Sequence, residues 1–274
     1  MTEWLFTLPA FYAEFAPPPE YDGIVDHLSV LKDCGLLTAD RREFASPFTG
    51  LSFSFRATDD ETNRPGKVAV LQPSFGHRKR DKVFDGWAFA IKSKASQWRS
   101  GTCGPAVARC QTRLAQIIGA QPSHTDILEI LDRLLDDLAG QPTEPLRDVH
   151  SSLNRAQFQV QRLATLLGQS GRTLQRRMRA ATGLPPKQFL AVERFRRAVH
   201  GIPTQQSRLS RVAGDLGFSD QAHLTREFQR HAGLTPGAFQ QTWDGVRGQA
   251  VRFVQDGASP TRLRVAVWPA QDRC

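Results

Sequence analysis

Residues 208–243 read RLSRVAGDLGFSDQAHLTREFQRHAGLTPGAFQQTW, and the spacing of apolar residues in this stretch decides what kind of fold the chain carries. Leu209, Val212, Ala213 and Leu216 recur at helical spacing, and Gly217 follows where a helix can close in a left-handed turn. Ser219 then reads as the opening of a second helix. Its hydroxyl is suited to accept from a backbone N–H that the first turn leaves unpaired, and Asp220 sits at the positive end of the helix dipole. Leu224 and Phe228, four apart, face inward, which leaves Gln221, Ala222, His223, Thr225, Arg226 and Gln229 outside. A short helix, a Gly-containing turn and a second helix with Gln, Thr and Arg outward are the parts of a major-groove reader.

The pattern occurs once before. Leu163-Ala164, Leu167-Gly168, Ser170, Leu174, Met178, Gly183, Pro186 and Phe189 answer to Val212-Ala213, Leu216-Gly217, Ser219, Leu224, Phe228, Gly233, Pro236 and Phe239. The offset is 49 residues before the turn and 50 after it, so the second turn carries one extra residue. Two copies are too few for a solenoid but suffice for a tandem reader, with Gln188 to Gly201 as the joining helix. The first copy begins with Ala156, Phe158, Val160 and Leu163, and its recognition helix is expected from Gly171 to about Ala181. With Leu174 and Met178 in the core, Arg172, Gln175, Arg176 and Arg179 share the opposite face at i, i+3, i+4 and i+7. Alone, such a face could be merely solvated arginine; its repetition favours contact with DNA.

The second copy, LGFSDQAHLTREFQRHAGLTP at 216–236, is similar to the DNA-binding domain of the AraC/XylS family of transcription regulators. FRRA at 195–198, after Pro185-Pro186, resembles that family's central linking helix, and the resemblance covers roughly residues 151–245. The first copy departs from it, with Gly171 after Ser170 where a side-chain-bearing residue is usual. The resemblance implies base-contacting positions at Arg172, Gln175 and Arg176 in the first copy and Gln221, Ala222, His223 and Arg226 in the second, with Arg179 and Thr225 on the same faces. Arg suits guanine, Gln suits adenine, and Ala222 offers only a methyl group. His223 reads equally as a structural hydrogen-bonder, and His231 near its helix end as a dipole or capping residue. The resemblance further implies promoter DNA as partner, often with RNA polymerase contact, and a β-rich amino-terminal domain that senses or dimerises. A small-molecule effector and a homodimer both stay open.

Charge agrees with a DNA-binding part. Residues 151–245 hold fourteen Arg or Lys against five Asp or Glu, a difference of +9, while the rest of the 274-residue chain holds twenty-two of each. The whole formal excess of +9 therefore lies in the two readers, where basic surface supplies phosphate contacts and salt-dependent affinity. Thirteen of the fourteen are Arg, which suits bidentate contacts to phosphate or guanine. No apolar run has the length of a membrane span, and MTEWLFTLPAFYAEFAPPPEY lacks the basic region of a signal peptide, so a cytoplasmic location without membrane association is expected. Cys34, Cys103, Cys110 and Cys274 form no CxxC pair and have no nearby His set; neither a metal nor a required disulfide is expected.

Toward the amino terminus, short apolar and β-branched runs at Ile24–Leu31, Leu36–Thr38, Phe48–Arg56, Val68–Gln72 and Val83–Ile91 read as strands. Leu51, Phe53 and Phe55 alternate with Ser52 and Ser54, the period of a strand with one buried face. Ala106–Ile118 and His124–Leu138 switch to helical period. The stripe of Ile127, Ile130, Leu131, Leu134, Leu135 and Leu138 packs either on its own β-domain or in a dimer. The expected organisation is α+β. A β-rich barrel or sandwich-like domain with flanking helices spans 1–138, a polar linker 139–150, an all-α tandem helix-turn-helix domain 151–245 and a hairpin-like tail 246–274. The tail segments VRFVQD and RLRVAVW are expected to fold back onto the β-domain or the reader.

Catalytic templates are missing: there is no GxSxG, GxxxxGK[ST], GxGxxG or HExxH, and neither enzymatic activity nor a cofactor is expected. Asp59-Asp60-Glu61 and His77-Arg78-Lys79-Arg80 read as solvated turns; the second could instead meet phosphate or an anionic effector. Phe75, Trp87, Phe89 and Trp98 could line an apolar pocket but fit plain core. Two rivals stay open: a DNA-modifying or repair enzyme carrying such a reader, with Cys34 as its nucleophile, and a protein-interaction module.

Overall fold

The computed structural model describes residues 6–34, 42–56, 66–79, 84–94, 104–120, 122–139, 146–204, 208–240, 252–253 and 262–267. The expected strand at 36–38, the acidic run at 59–61, Trp98, Cys103 and Cys274 lie outside them. Seven strands form one antiparallel sheet: β1 (Phe11–Phe15), β2 (Val25–Cys34), β4 (Thr49–Arg56), β5 (Lys67–Leu71), β7 (Asp85–Ser93), β8 (Arg252–Phe253) and β9 (Leu263–Val267). Their order across the sheet is β5-β4-β7-β2-β1-β9-β8. The short strands β3 (Arg42–Glu43) and β6 (Arg78–Lys79) pair separately as a two-stranded ribbon.

Alternation along the strands builds the core. In register, Phe53 lies beside Phe89, Phe89 beside Val30, and Val30 beside Ala13, so one face of the sheet carries a continuous apolar row. Trp87 and Phe89 stack in this core with centroids 5.9 Å apart, whereas Phe75 lies elsewhere, so these aromatics do not line a shared pocket. Helices α1 (Gly104–Ile118) and α2 (His124–Ala139) cover the row, with Leu114, Ile127 and Leu131 fully buried in the same cluster. The apolar stripe of α2 is thus used on its own domain. Each large side chain buried here contributes about 1.5–3 kcal/mol relative to exposure.

Two expected boundaries move. The stretch 139–150, read as a linker from its prolines and polar residues, is helical from Arg147: α3 (Arg147–Ser152) follows a buried Leu146, and Val149 is fully buried in the first reader. Its apolar residues are too few for a periodic signal. The tail, given bounds of its own but expected to fold back as a hairpin onto the β-domain or the reader, pairs β8 with β9 and joins the amino-terminal sheet, where Tyr12 pairs with Val267 and Glu14 with Val265. Arg262 fastens it, donating from Nε to the Ala16 carbonyl at 2.7 Å and from both terminal nitrogens to Asp132 of α2 at 2.6 and 3.1 Å.

The carboxy-terminal helices are α4 (Val160–Leu166), α5 (Gly171–Thr182), α6 (Pro186–Thr204), α7 (Leu209–Asp215) and α8 (Gln221–Ala232). They form two small cores. One comprises residues between Leu146 and Leu190; the other gathers Val192, Phe195, Val212, Leu224 and Phe228 around the second half of α6. Helix α6 is longer at both ends than the expected 188–201; its earlier start follows from Pro186, whose missing N–H costs nothing in a first turn.

The sheet meets α6 through buried charge. Arg196 of α6 reaches Glu193 at 3.3 Å and Asp26 of β2 at 3.7 Å, and His27 lies 2.8 Å from Asp26. Burial pushes the Asp26 carboxyl up, but Arg196 and His27 outweigh it and hold it well below the usual carboxylate range. Among the described residues, no helix is long and apolar enough to cross a membrane.

Candidate nucleic-acid interface

Each reader is a pair of helices joined by a tight turn, α4 with α5 and α7 with α8. Both turns contain a glycine with positive φ, Gly168 at 62° and Gly217 at 71°. The caps then differ. Ser170 caps α5, its Oγ accepting from the Thr173 N–H at 3.1 Å. In the second reader the capping residue is Asp220, which accepts from the His223 N–H at 2.6 Å, so the expected assignment to Ser219 is off by one. The extra residue of the second turn explains the shift: counting from the turn glycine, Ser170 is the second residue and Asp220 the third. That hydrogen bond from His223 is the main cause holding the Asp220 carboxyl below its usual range.

The first recognition helix, α5, buries Leu174 and Met178 completely and leaves Arg172, Gln175, Arg176 and Arg179 exposed together on the other side. In α8, Leu224 and Phe228 are buried while Gln221, Ala222, Arg226 and Gln229 are exposed. Thr225 and His223 are half-buried at the edge of that face. The Thr225 hydroxyl donates to the Gln221 carbonyl at 2.9 Å. Through Nδ1, His223 takes the Ser219 backbone N–H at 3.3 Å, and its ring packs edge-on against Phe218 at 5.4 Å, so the ring braces the turn. Among the described residues, Arg172, Gln175, Arg176 and Arg179 on one helix and Gln221, Ala222, Arg226 and Gln229 on the other are therefore exposed, with Thr225 and His223 at the rim.

Two arginines of α6 that pattern reasoning passed over hold the readers to the linking helix. Arg194 donates to the Gly217 carbonyl at 3.1 Å and lies 4.6 Å from the Phe218 ring centre, gripping the second turn. Arg197 bonds Asn154 and lies 5.0 Å from the Phe158 ring, gripping the start of the first reader. Arg197 sits in FRRA at 195–198, whose likeness to a linking helix was noted, and Arg194 just precedes it within the expected joining helix; that was their only signal. Arg177 on α5 is also structural, making two 2.6 Å bonds to Asp148 of α3. Burial raises the Asp148 carboxyl, but the Arg177 hydrogen bonds win and hold it below its usual range.

His231, read as a dipole or capping residue near its helix end, instead bonds across to the amino-terminal domain. It is fully buried, with Nδ1–H donating to the Phe75 carbonyl at 2.6 Å and Nε2 3.3 Å from Glu227. His77, read as part of a solvated turn, is exposed but has its Nδ1 3.3 Å from the Arg230 carbonyl, and the ribbon strand β6 follows it. Of the cysteines, Cys34 is exposed at the end of β2 and Cys110 is buried, burial pushing its thiol up to about 12. No group of His, Cys, Asp or Glu suited to a metal ion occurs among the described residues.

Residues 163–242 match the family model described as a helix-turn-helix domain. The transcriptional regulator RipA of Corynebacterium glutamicum is 35% identical over 83 residues, which are 30% of this chain and 25% of that protein. The transcriptional activator RhaS of Escherichia coli O157:H7 is 32% identical over 74 residues, 27% of each chain. The chain thus spans about a quarter of the length of these curated relatives. Among solved structures, the DNA-binding domain of the transcriptional factor AdpA in complex with a target DNA matches at 31% identity. The match covers 38% of this chain and 95% of that one, with a TM-score of 0.35. With its two capped helix pairs and its match to the family model and to the regulators RipA and RhaS, the carboxy-terminal part of the chain is a tandem helix-turn-helix domain of the AraC/XylS family.

Proposed function

We propose that the protein is a sequence-specific transcription regulator that lays α5 and α8 into successive major grooves on one face of a duplex. The observation that carries this reading is the pair of faces exposed among the described residues, Arg172, Gln175, Arg176 and Arg179 on one helix and Gln221, Ala222 and Arg226 on the other, with Thr225 and His223 at the rim. Arginine bidentate to guanine and glutamine to adenine supply base discrimination; remaining arginines and the helix amino termini hold phosphates. The two readers share an arginine at one matching position, Arg176 and Arg226, but set Arg172, Gln175 and Arg179 against Ala222, Thr225 and Gln229, so the site on DNA is asymmetric. The partner is promoter DNA, with RNA polymerase as a second contact and the amino-terminal domain as the seat of control by an effector or by dimerisation.

Selection of bound duplexes from a random pool by the purified full-length protein tests this and returns the site. The expected result is one asymmetric consensus whose affinity falls steeply with salt. Recovery of unenriched sequence, or retention independent of salt, would overturn it.

A further inference from the structure

The two readers are not held alike. Among the described residues, the core of the first draws only on residues 146–190, whereas the core of the second takes in Ala45, with Phe44 and Phe75 packed against it, all three from the amino-terminal domain. Phe44 meets Phe195 and Phe239 edge-on at 6.0 and 6.1 Å, and the Phe75 ring meets His231 at 4.9 Å.

The amino-terminal domain also touches the first reader at α3, where His150 lies 3.4 Å from the Lys94 carbonyl and 6.3 Å from the Phe48 ring. At the ends of the recognition helices, however, polar contacts repeat the asymmetry. The last carbonyls of a helix have no partner within it. At the end of α8 the amino-terminal domain provides them: the Ala45 N–H donates to the His231 carbonyl at 2.9 Å and the His77 ring to that of Arg230 at 3.3 Å. In return the His231 ring donates to the Phe75 carbonyl at 2.6 Å. We propose that Phe44, Ala45, Phe75 and His77 form a clamp on the carboxy-terminal end of the second recognition helix. Through it the amino-terminal domain sets how α8 lies in its groove while leaving α5 to its own reader. These are positioning residues, and the inference rests on the DNA-reading proposal above.

The chain contains its own control. Both recognition helices end on a left-handed glycine, Gly183 at φ 75° and Gly233 at φ 72°. A side chain is strained equally at both. A Cβ at Gly183 meets nothing within 4 Å, but one at Gly233 would stand 2.5 Å from Nε2 of His77. Relief requires the His77 ring to swing out and give up Arg230.

The test compares Gly183→Ala, Gly233→Ala and the pair Gly233→Ala with His77→Ala in the full chain, by hydroxyl-radical footprint on a duplex that wild type recovers from a random pool. Gly233→Ala is expected to weaken protection of the α8 half of the site about fivefold, the low end of linkage between coupled sites, with the α5 half unchanged. Removing His77 as well should leave that loss no deeper, because the contact to Arg230 is already given up, and Gly183→Ala should show no such selective loss. The clamp is overturned if the two alanines act alike on their own halves, or if loss of His77 adds a second, independent loss on top of that of Gly233→Ala. Amide exchange on the free protein reads the clamp without DNA: Phe75→Ala should speed exchange at 227–233 and spare 177–183, and equal change in both contradicts it. A wild-type protein that protects no duplex would instead contradict the DNA-reading proposal, whatever the exchange shows.

Discussion

The two readers are copies of one design in which, among the described residues, the first closes its apolar core with its own residues and the second is completed from outside. The first closes its core with α3, which it acquires locally: Leu146, Val149 and Leu153 pack on it, and Asp148 takes both terminal nitrogens of Arg177. The second closes its core with residues about 150 positions earlier in the chain, Phe44, Ala45 and Phe75. A reader built from its own neighbourhood offers steady contact. One that borrows part of its core can be adjusted by the domain that lends it.

The largest effect that would sharpen this contrast is core truncation. Phe228→Ala removes a ring packed against Phe195 at 5.1 Å and Phe239 at 5.4 Å and should cost about 3–5 kcal/mol. Because the amino-terminal domain leans on the same core, differential scanning should show both parts of the molecule melting earlier. Met178→Ala, at the matching position of the first reader, should cost about 2–5 kcal/mol and leave the amino-terminal domain's transition where it was. Next come the reading faces. Arg226→Ala should weaken binding by about 1–3 kcal/mol and relax preference at one base pair; a loss equal on all duplexes would make Arg226 a phosphate contact. Loss of the Ser170 cap by Ser170→Ala should cost about 1 kcal/mol, visible as a lower melting midpoint confined to the first reader.

The smallest effect is with pH. Burial holds His150, behind the first reader, and His231, within the second, below the ordinary histidine pKa, and does the same for His200 on α6. A depressed histidine favours the folded state only while neutral. Its contribution is whole above about pH 6.5, where the unfolded side chain titrates, and is lost as pH falls through the lower folded value. Denaturation curves at pH 7.5 and 5.5 should show lower stability in acid, and His231→Gln should shrink the difference; a stability that rises in acid contradicts this account of the buried rings.

Much of the reader was legible in the sequence because its information is local. Leu174 and Met178, like Leu224 and Phe228, announce their helices by a four-residue step, and what faces away from them follows by geometry. The amino-terminal strands showed themselves where alternation was clean, as at Leu51, Phe53 and Phe55, and the helical stripe of α2 found the sheet it was read to need. What stayed hidden depends on distant partners. His231 and His77 look like ordinary polar residues near a helix end and in a turn; only the approach of segments some 150 residues apart gives them their bonds. Arg194 and Arg197 look like two more surface cations until Phe218 and Phe158 are seen beneath them. The tail was read as a hairpin, but nothing in RLRVAVW says that its partner is the strand beginning at Phe11. The cap at Asp220 was missed by one residue because Ser219 and Asp220 are both competent acceptors and only backbone geometry chooses between them.

Whether both helices enter one duplex can be asked directly by guanine N7 methylation interference on the selected site with wild-type protein, since N7 lies in the major groove. The account predicts two clusters of interfering guanines about 10–10.5 base pairs apart on one face. Substitution at Arg172 or Arg176 should abolish one cluster and substitution at Arg226 the other. A single cluster, lost on substitution in only one of the two helices, would contradict it.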